Sequence, residues 1–296
     1  MIAYNPKTWF AQIFLFHRSD TLRILWQEML LIGLYAGGLT WTLTTYFPEN
    51  THFRDTLSVH SLVGFVMGLF LVFRTNTAYD RWWEGRKQWG SLVNVSRNFS
   101  IKVKSMISEN DPEQEPILNL IATFPFVAKD HLRLKAEGRI DYSNEFDKTI
   151  LAEIQYWDHA PSGVVYAITK RIHQLHNNGK LSGEQLIILD KECTQLLDML
   201  GACERIRSTP IPYSYSMFIK KFIFIYCITL PIGLVLDFYY WSIPVTMFIF
   251  YVIVSLEILA EEIEDPFGSD DNDLPTDDIA EKIRTNVSEI KSIKRS

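Results

Sequence analysis

The sequence predicts an all-α membrane protein: four transmembrane helices, with a helical cytoplasmic region between the second and third and a shorter one after the fourth. Two observations carry this. Asp, Glu, Lys and Arg are missing from four stretches of near-membrane length, Met29 to Tyr46, Leu57 to Phe73, Phe222 to Leu236 and Phe238 to Leu256. The segments from 74 to 221 and 257 to 296 are charged, mostly helical in period and free of strand alternation. A mean hydropathy of +0.01 looks soluble only because it averages the two kinds of segment.

Residues 1 to 28 read as an amphipathic lead-in, with Trp9, Phe10, Ile13, Phe14 and Phe16 able to lie on a membrane or pack on a neighbour. A basic start, a continuous apolar core and a small-residue cleavage site are all missing, so no cleaved signal peptide is expected. In the first span, Gly33, Gly37 and Gly38 approach the small-xxx-small pattern of close helix contacts, and Trp41, Tyr46 and Phe47 anchor its outer end. A short connection opened by Pro48, with Arg54 its one basic residue, leads to the second span.

That second span meets no Gly or Pro between Phe73 and Gly85, so its helix continues into a charged, aromatic segment: Arg74, Asp80, Arg81, Trp82, Trp83, Glu84, Arg86, Lys87, Trp89. Within it Leu62, Val66 and Phe70 recur at i, i+4 and i+8 along one line, and Gly64 and Gly68 form a small-residue stripe. By periodicity alone the line serves equally as knobs within one subunit or as rings around an axis.

From Arg74 to Pro212 helices are expected with breaks near Asp111-Pro112, Pro116, Gly138, Pro161 to Gly163 and Asn177 to Gly183. Pro210 and Pro212 then start the third span by fixing backbone angles. Lys220 and Lys221 can snorkel to lengthen it, and Pro231 and Gly233 permit a kink. Asp237 marks the outer turn, with Phe238 to Trp241 an aromatic belt. The excess of Lys and Arg in the long middle segment places it, and with it both termini, in the cytoplasm. Beyond the acidic stretch Ile279, Ile283, Val287, Ile290 and Ile293 keep a helical apolar stripe.

Three stretches resemble the bestrophin family, in its bacterial and plant branch: FRTNTAYDRWWEGRKQWG (Phe73 to Gly90), GACERIRSTPIPYSY (Gly201 to Tyr215) and EDPFGSDDNDLPTDDI (Glu264 to Ile279). They follow the family's order and spacing over nearly the whole chain, as a single channel unit. The resemblance implies a homopentameric, pore-forming ion channel in the inner membrane, with the tail lying on a neighbouring subunit. It makes Leu62, Val66 and Phe70 the neck of the pore, with Val66 in the middle ring smaller than the Ile or Phe often found there in the family. Apolar rings of this kind hold back water and ions unless they widen. Arg74, Asp80, Arg81, Trp82, Trp83, Pro210 and Pro212 become structural motif positions. The permeant species are small monovalent ions, chloride by family default and Na+ or K+ as the alternative, and no cofactor is required.

The acidic stretch offers oxygen ligands on a turn-prone segment, and a hard cation suits them. It lacks the glycine and terminal bidentate Glu of an EF-hand. Animal bestrophins hold calcium at this place, which makes Glu262, Asp265, Asp270 and Asp273 the candidate ligands for Ca2+ or another divalent ion; a solvated acidic loop is the alternative. His173 and His176, three apart on a helix, are close enough to share a metal, although surface histidines suffice to explain them. His159, His173 and Lys180 lie where a second constriction could form and receive no assignment. Cys193, Cys203 and Cys227 have no metal-binding spacing and read as structural thiols.

A formal charge of -6 without a long basic run argues against nucleic acid as a partner. Asp270-Asp271 with Asp277-Asp278 resembles the Mg2+-binding aspartates of prenyl-diphosphate enzymes, but facing basic ligands are missing and an enzyme is not expected. A non-conducting scaffold is the remaining class. It predicts that substitutions at Leu62, Val66 or Phe70 leave activity unchanged.

Overall fold

The computed structural model describes residues 21–47, 56–133, 153–154 and 157–293. Among them there is no strand, and eight α-helices follow in order: α1 Thr21–Tyr46, α2 Thr56–Met106, α3 Gln114–Arg133, α4 Ala160–Asn177, α5 Gly183–Ser208, α6 Tyr213–Phe238, α7 Ser242–Glu264 and α8 Thr276–Ser292. The lead-in with Trp9 to Phe16, the connection at Pro48 and Arg54, and the break at Gly138 lie outside the described residues. The chain divides into two compact units, one of residues 1–82, 210–265 and 270–272, the other of 83–209, 266–269 and 273–296. The 51 residues of α2 contribute to both, because Gly85 and Gly90 are accommodated without a break.

In the first unit α1 packs on α6 and α7, and α6 on α7. Met67 and Leu71 of α2 join Ile219, Ile223, Tyr226 and Leu230 of α6 in a buried cluster. Small residues make this closeness possible: a Cβ on Gly64 would stand 2.8 Å from the Tyr226 hydroxyl, and one on Gly33 2.8 Å from Met247 Sδ. Gly38 and Gly68, by contrast, face open space. Buried polar groups are paired across helices, Thr40 with Ser242 at 2.9 Å and His60 Nε2 with the Thr229 hydroxyl at 2.9 Å.

Among the described residues, two helical stretches are long and apolar enough to cross a membrane, Thr56–Met106 and Tyr213–Glu264. Only 17% and 22% of their most apolar windows is buried, where the core helix of a soluble protein would be mostly covered. The second stretch is interrupted by a 3-10 turn, Tyr239–Trp241, at which Tyr239 takes a φ of 47°. The aromatic belt expected there is exposed.

In the second unit α3 packs on α4, α5 and α8, and α4 on α5. Its core includes Ile117, Leu118, Ile121, Phe124 and Val127 of α3. Ser182 caps α5 in a reciprocal box with Gln185, and Gly179 supplies the φ of 69° that turns α4 into α5. Ile279, Ile283 and Val287 of α8 are buried, and the helix lies on α3 of the same chain. The first three members of the tail's apolar stripe are thus covered within the chain, whereas Ile293 is exposed. All three cysteines are buried and free; burial pushes the Cys193 and Cys203 thiols up to about 12.

Candidate functional site

Packing decides which side of α2 is available. Met67, Leu71 and Arg74 face the rest of the first unit and are buried. At about 100° per residue, Leu62, Phe65, Leu69 and Phe73 fall on the opposite side. These four are exposed by 67%, 66%, 46% and 61%. Val66 and Phe70 lie on a flank. Phe70 is half-buried, its ring 5.6 Å from that of Phe218 and 6.4 Å from that of Phe222, both of the same chain. Of the line drawn from periodicity, Leu62 thus lies on the open side, whereas Phe70 serves as a knob within the subunit. Phe65, Leu69 and Phe73 share the open side with Leu62; i, i+4, i+8 recurs in several registers of so apolar a helix, and only burial distinguishes them.

Beyond Phe73 the same helix is held by polar contacts. Arg74, 1% exposed, places Nη1 2.7 Å from Glu264 Oε2 and Nε 3.6 Å from Glu257 Oε2. Arg81 Nε donates to the Glu264 carbonyl at 3.1 Å, and Trp82 Nε1 to the Asn272 carbonyl at 3.0 Å. Glu264 Oε1 also accepts from the Ile211 amide at 2.7 Å, between Pro210 and Pro212. Pro212 opens α6, its carbonyl accepting from the Tyr215 and Ser216 amides. Arg74 and the Ile211 amide thus meet at the Glu264 carboxylate, Arg81 reaches the carbonyl of the same residue and Trp82 that of Asn272, whereas Asp80 and Trp83 are exposed.

The candidate calcium ligands are less convergent. Glu262 accepts from the Asn272 side chain at 2.6 Å, Asp265 and Asp270 are exposed, and Asp273 is buried. Glu262, Asp265 and Asp270 do not bring their carboxylates together as a group that could hold one ion. Asp277 is held by Arg133 and Lys129, and the Arg133 hydrogen bond, the largest contribution, draws its carboxyl down to about 2.

His173 is exposed, and His176 Nδ1 lies 3.0 Å from the Leu181 carbonyl. Lys180 pairs with Asp111 at 2.6 Å. Among the described residues, the group of three whose donor atoms converge is His131, His159 and Glu204. Sequence reading missed it because 73 and 45 residues separate the histidines from the glutamate. Burial, and next the neighbouring His159, hold the His131 imidazole below its usual range.

The family model for bacterial and fungal bestrophin proteins matches residues 1–289. The chain belongs to the bestrophin family. This bestrophin is 34% identical over 297 residues to the voltage-dependent anion channel-forming protein sll1024 of Synechocystis, covering 97% of this chain and 92% of that one. It is 32% identical to alr2987 of Nostoc, which bears the same description, over 97% and 93% of the two chains. A bacterial bestrophin homologue from Klebsiella pneumoniae, solved by crystallography, superposes with a TM-score of 0.81 at 27% identity, covering 90% of this chain and 98% of that one.

Proposed function

We propose that this bestrophin is the subunit of a homopentameric channel that passes small monovalent anions, chloride first, down their gradient. The observation that carries the reading is family membership over almost the whole chain, joined to relatives described as anion channel-forming over equally long alignments. Four spans, α1, the first half of α2, α6 and α7, cross the inner membrane, and both termini lie in the cytoplasm. The neck is built by one face of α2 from each subunit. The exposure of Leu62, Phe65, Leu69 and Phe73 opposite the packed face favours that line for the rings over Phe70, while Val66, 37% exposed on the flank, stays open to either line. A bulky apolar ring repeated about every turn is a barrier that gates by wetting.

The enzyme reading loses ground because Asp277 is already engaged by two cations of its own chain. Calcium at Glu262, Asp265, Asp270 and Asp273 is a secondary proposal, which chelation during recording tests.

Planar bilayers containing the purified protein under a KCl gradient test the main reading. A reversal potential near chloride's equilibrium value is expected, and one near potassium's replaces the proposal with a cation channel of the same build. Leu69→Ala is expected to change conductance more than Phe70→Ala. The reverse order restores the Leu62, Val66, Phe70 line, and silence from assembled oligomers turns the reading to a scaffold or an enzyme.

A further inference from the structure

Three donor side chains converge in the second unit that the pore reading does not use. His131 stands in the last turn of α3, His159 at the N-terminus of α4 and Glu204 near the end of α5. Nε2 of His131 lies 2.7 Å from Glu204 Oε1, and Nε2 of His159 lies 2.6 Å from the same oxygen. The two imidazole rings meet edge to face with centroids 4.5 Å apart. All three groups are partly exposed, so a hydrated cation can reach them and shed water there.

Each is held in place independently of the others. Arg207, one turn beyond Glu204, donates to the His131 carbonyl at 2.8 Å and ties α5 to the end of α3. His159 caps α4: its Nδ1 accepts from the Ser162 amide at 3.2 Å and lies 2.7 Å from the Ser162 hydroxyl. Gly163 keeps the preceding turn tight, since a Cβ there would stand 2.8 Å from the Trp157 ring.

We propose that His131, His159 and Glu204 form a binding site for Zn2+ or a divalent transition-metal ion of similar preference. Two imidazole nitrogens and one carboxylate oxygen are a ligand set that zinc takes, with water completing a tetrahedron. Magnesium and calcium, which seek oxygen, do not fit two imidazoles. Bonds of about 2.0–2.2 Å at tetrahedral angles put ligand atoms about 3.3 Å apart. The present contacts of 2.6 and 2.7 Å therefore open by well under an ångström, within reach of the Glu204 side-chain torsions.

Proton balance assigns Ser162 a part. With Nδ1 accepting from an amide, neutral His159 carries its proton on Nε2 and donates it to Glu204. On metal binding that proton moves to Nδ1, where the Ser162 hydroxyl accepts it and the longer amide contact is released; the proton on His131 Nε2 leaves likewise, to its own Nδ1. Ser162 then orients the ligand, as outer-shell partners of metal-bound histidines do. The ion would join α3, α4 and α5, and by binding only the folded state it would stabilise the chain.

The test uses full-length protein in detergent micelles, stripped with a chelator and titrated with Co2+ as a spectroscopic probe. A single Co2+ per chain is expected, with the absorption of a tetrahedral N/O site, displaced by Zn2+ and raising the thermal midpoint. S162A is expected to weaken binding about tenfold, and H131N and E204Q to weaken it further. H173N/H176N, altering the pair elsewhere on α4, is expected to bind as the parent does. No Co2+ binding by the parent, unchanged affinity in H131N/H159N, or loss in H173N/H176N would each overturn the site. A ligand variant can fail to fold, so the parent protein is also labelled with diethyl pyrocarbonate. Zn2+ is expected to protect His131 and His159 but not His173, and equal labelling with and without Zn2+ overturns the proposal.

Discussion

Replacing Arg74 with Gln removes the cation from a buried cluster with two carboxylates, Glu264 at 2.7 Å and Glu257 at 3.6 Å. Their side chains are only 14% and 5% exposed, so water cannot take over from the guanidinium. Stripping one partner from a buried ion pair costs about 3–5 kcal/mol, because the remaining charge stays desolvated. At the lower end of the usual scale, about 2 °C per kcal/mol, the thermal midpoint falls by roughly 6–10 °C. The geometry also ranks the other members. E264Q should cost less than R74Q but remain severe, since Glu264 also accepts from the Ile211 amide. E257Q should be mild, because it leaves Arg74 paired one to one with Glu264. Tryptophan fluorescence on heating, compared at equal oligomer content on size exclusion, reads all three. A shift below about 2 °C for R74Q, or an E257Q more damaging than R74Q, would refute the reasoning.

Asp277 has a folded pKa of about 2, below that of the unfolded chain, so its stabilisation is complete above pH ~4 and is lost as pH falls through about 2. D277N should be less stable than the parent at neutral pH, with the difference closing between about pH 4 and 2 in acid-unfolding curves and shrinking with added salt, because the carboxylate is 59% exposed. Cys193 and Cys203 should resist maleimide labelling in the native protein at neutral pH and react on unfolding; native labelling of either would contradict their burial. Gly85→Val should lower stability by about 1–3 kcal/mol, because even a Cβ meets Phe267 and Leu274 at 3.1–3.2 Å; an unchanged denaturation midpoint would show that these side chains can yield.

Much of the fold was legible from the chain alone because its signals are local. Charge-free runs of membrane length, the missing breaker between Phe73 and Gly85 and the prolines before Tyr213 each act within a few residues, and α2 and α6 follow them. The site was harder. Choosing among the apolar registers of α2 depends on which side meets α6, and periodicity in so uniformly apolar a helix does not say. The acidic stretch reads as a ligand cluster because its carboxylates are adjacent in sequence, yet within it Glu262 is engaged by the Asn272 side chain, Asp265 and Asp270 are exposed and Asp273 is buried. His173 and His176 have helical spacing in their favour, but His173 is exposed and His176 Nδ1 is taken by the Leu181 carbonyl.

By itself the sequence determined the helical class, the apolar stretches, the family and the arginine and tryptophan positions of the motif, all of which rest on contiguous residues. Tertiary structure alone decided that Phe70 packs on Phe218 and Phe222 while Phe65, Leu69 and Phe73 stay exposed, that Arg74 meets Glu257 and Glu264, and that His131 and His159 reach Glu204. The physical reason is the same in each case. Which side of a helix is covered, and which distant side chain comes within 3 Å of another, follow from how helices pack, and packing joins residues that chain order keeps far apart.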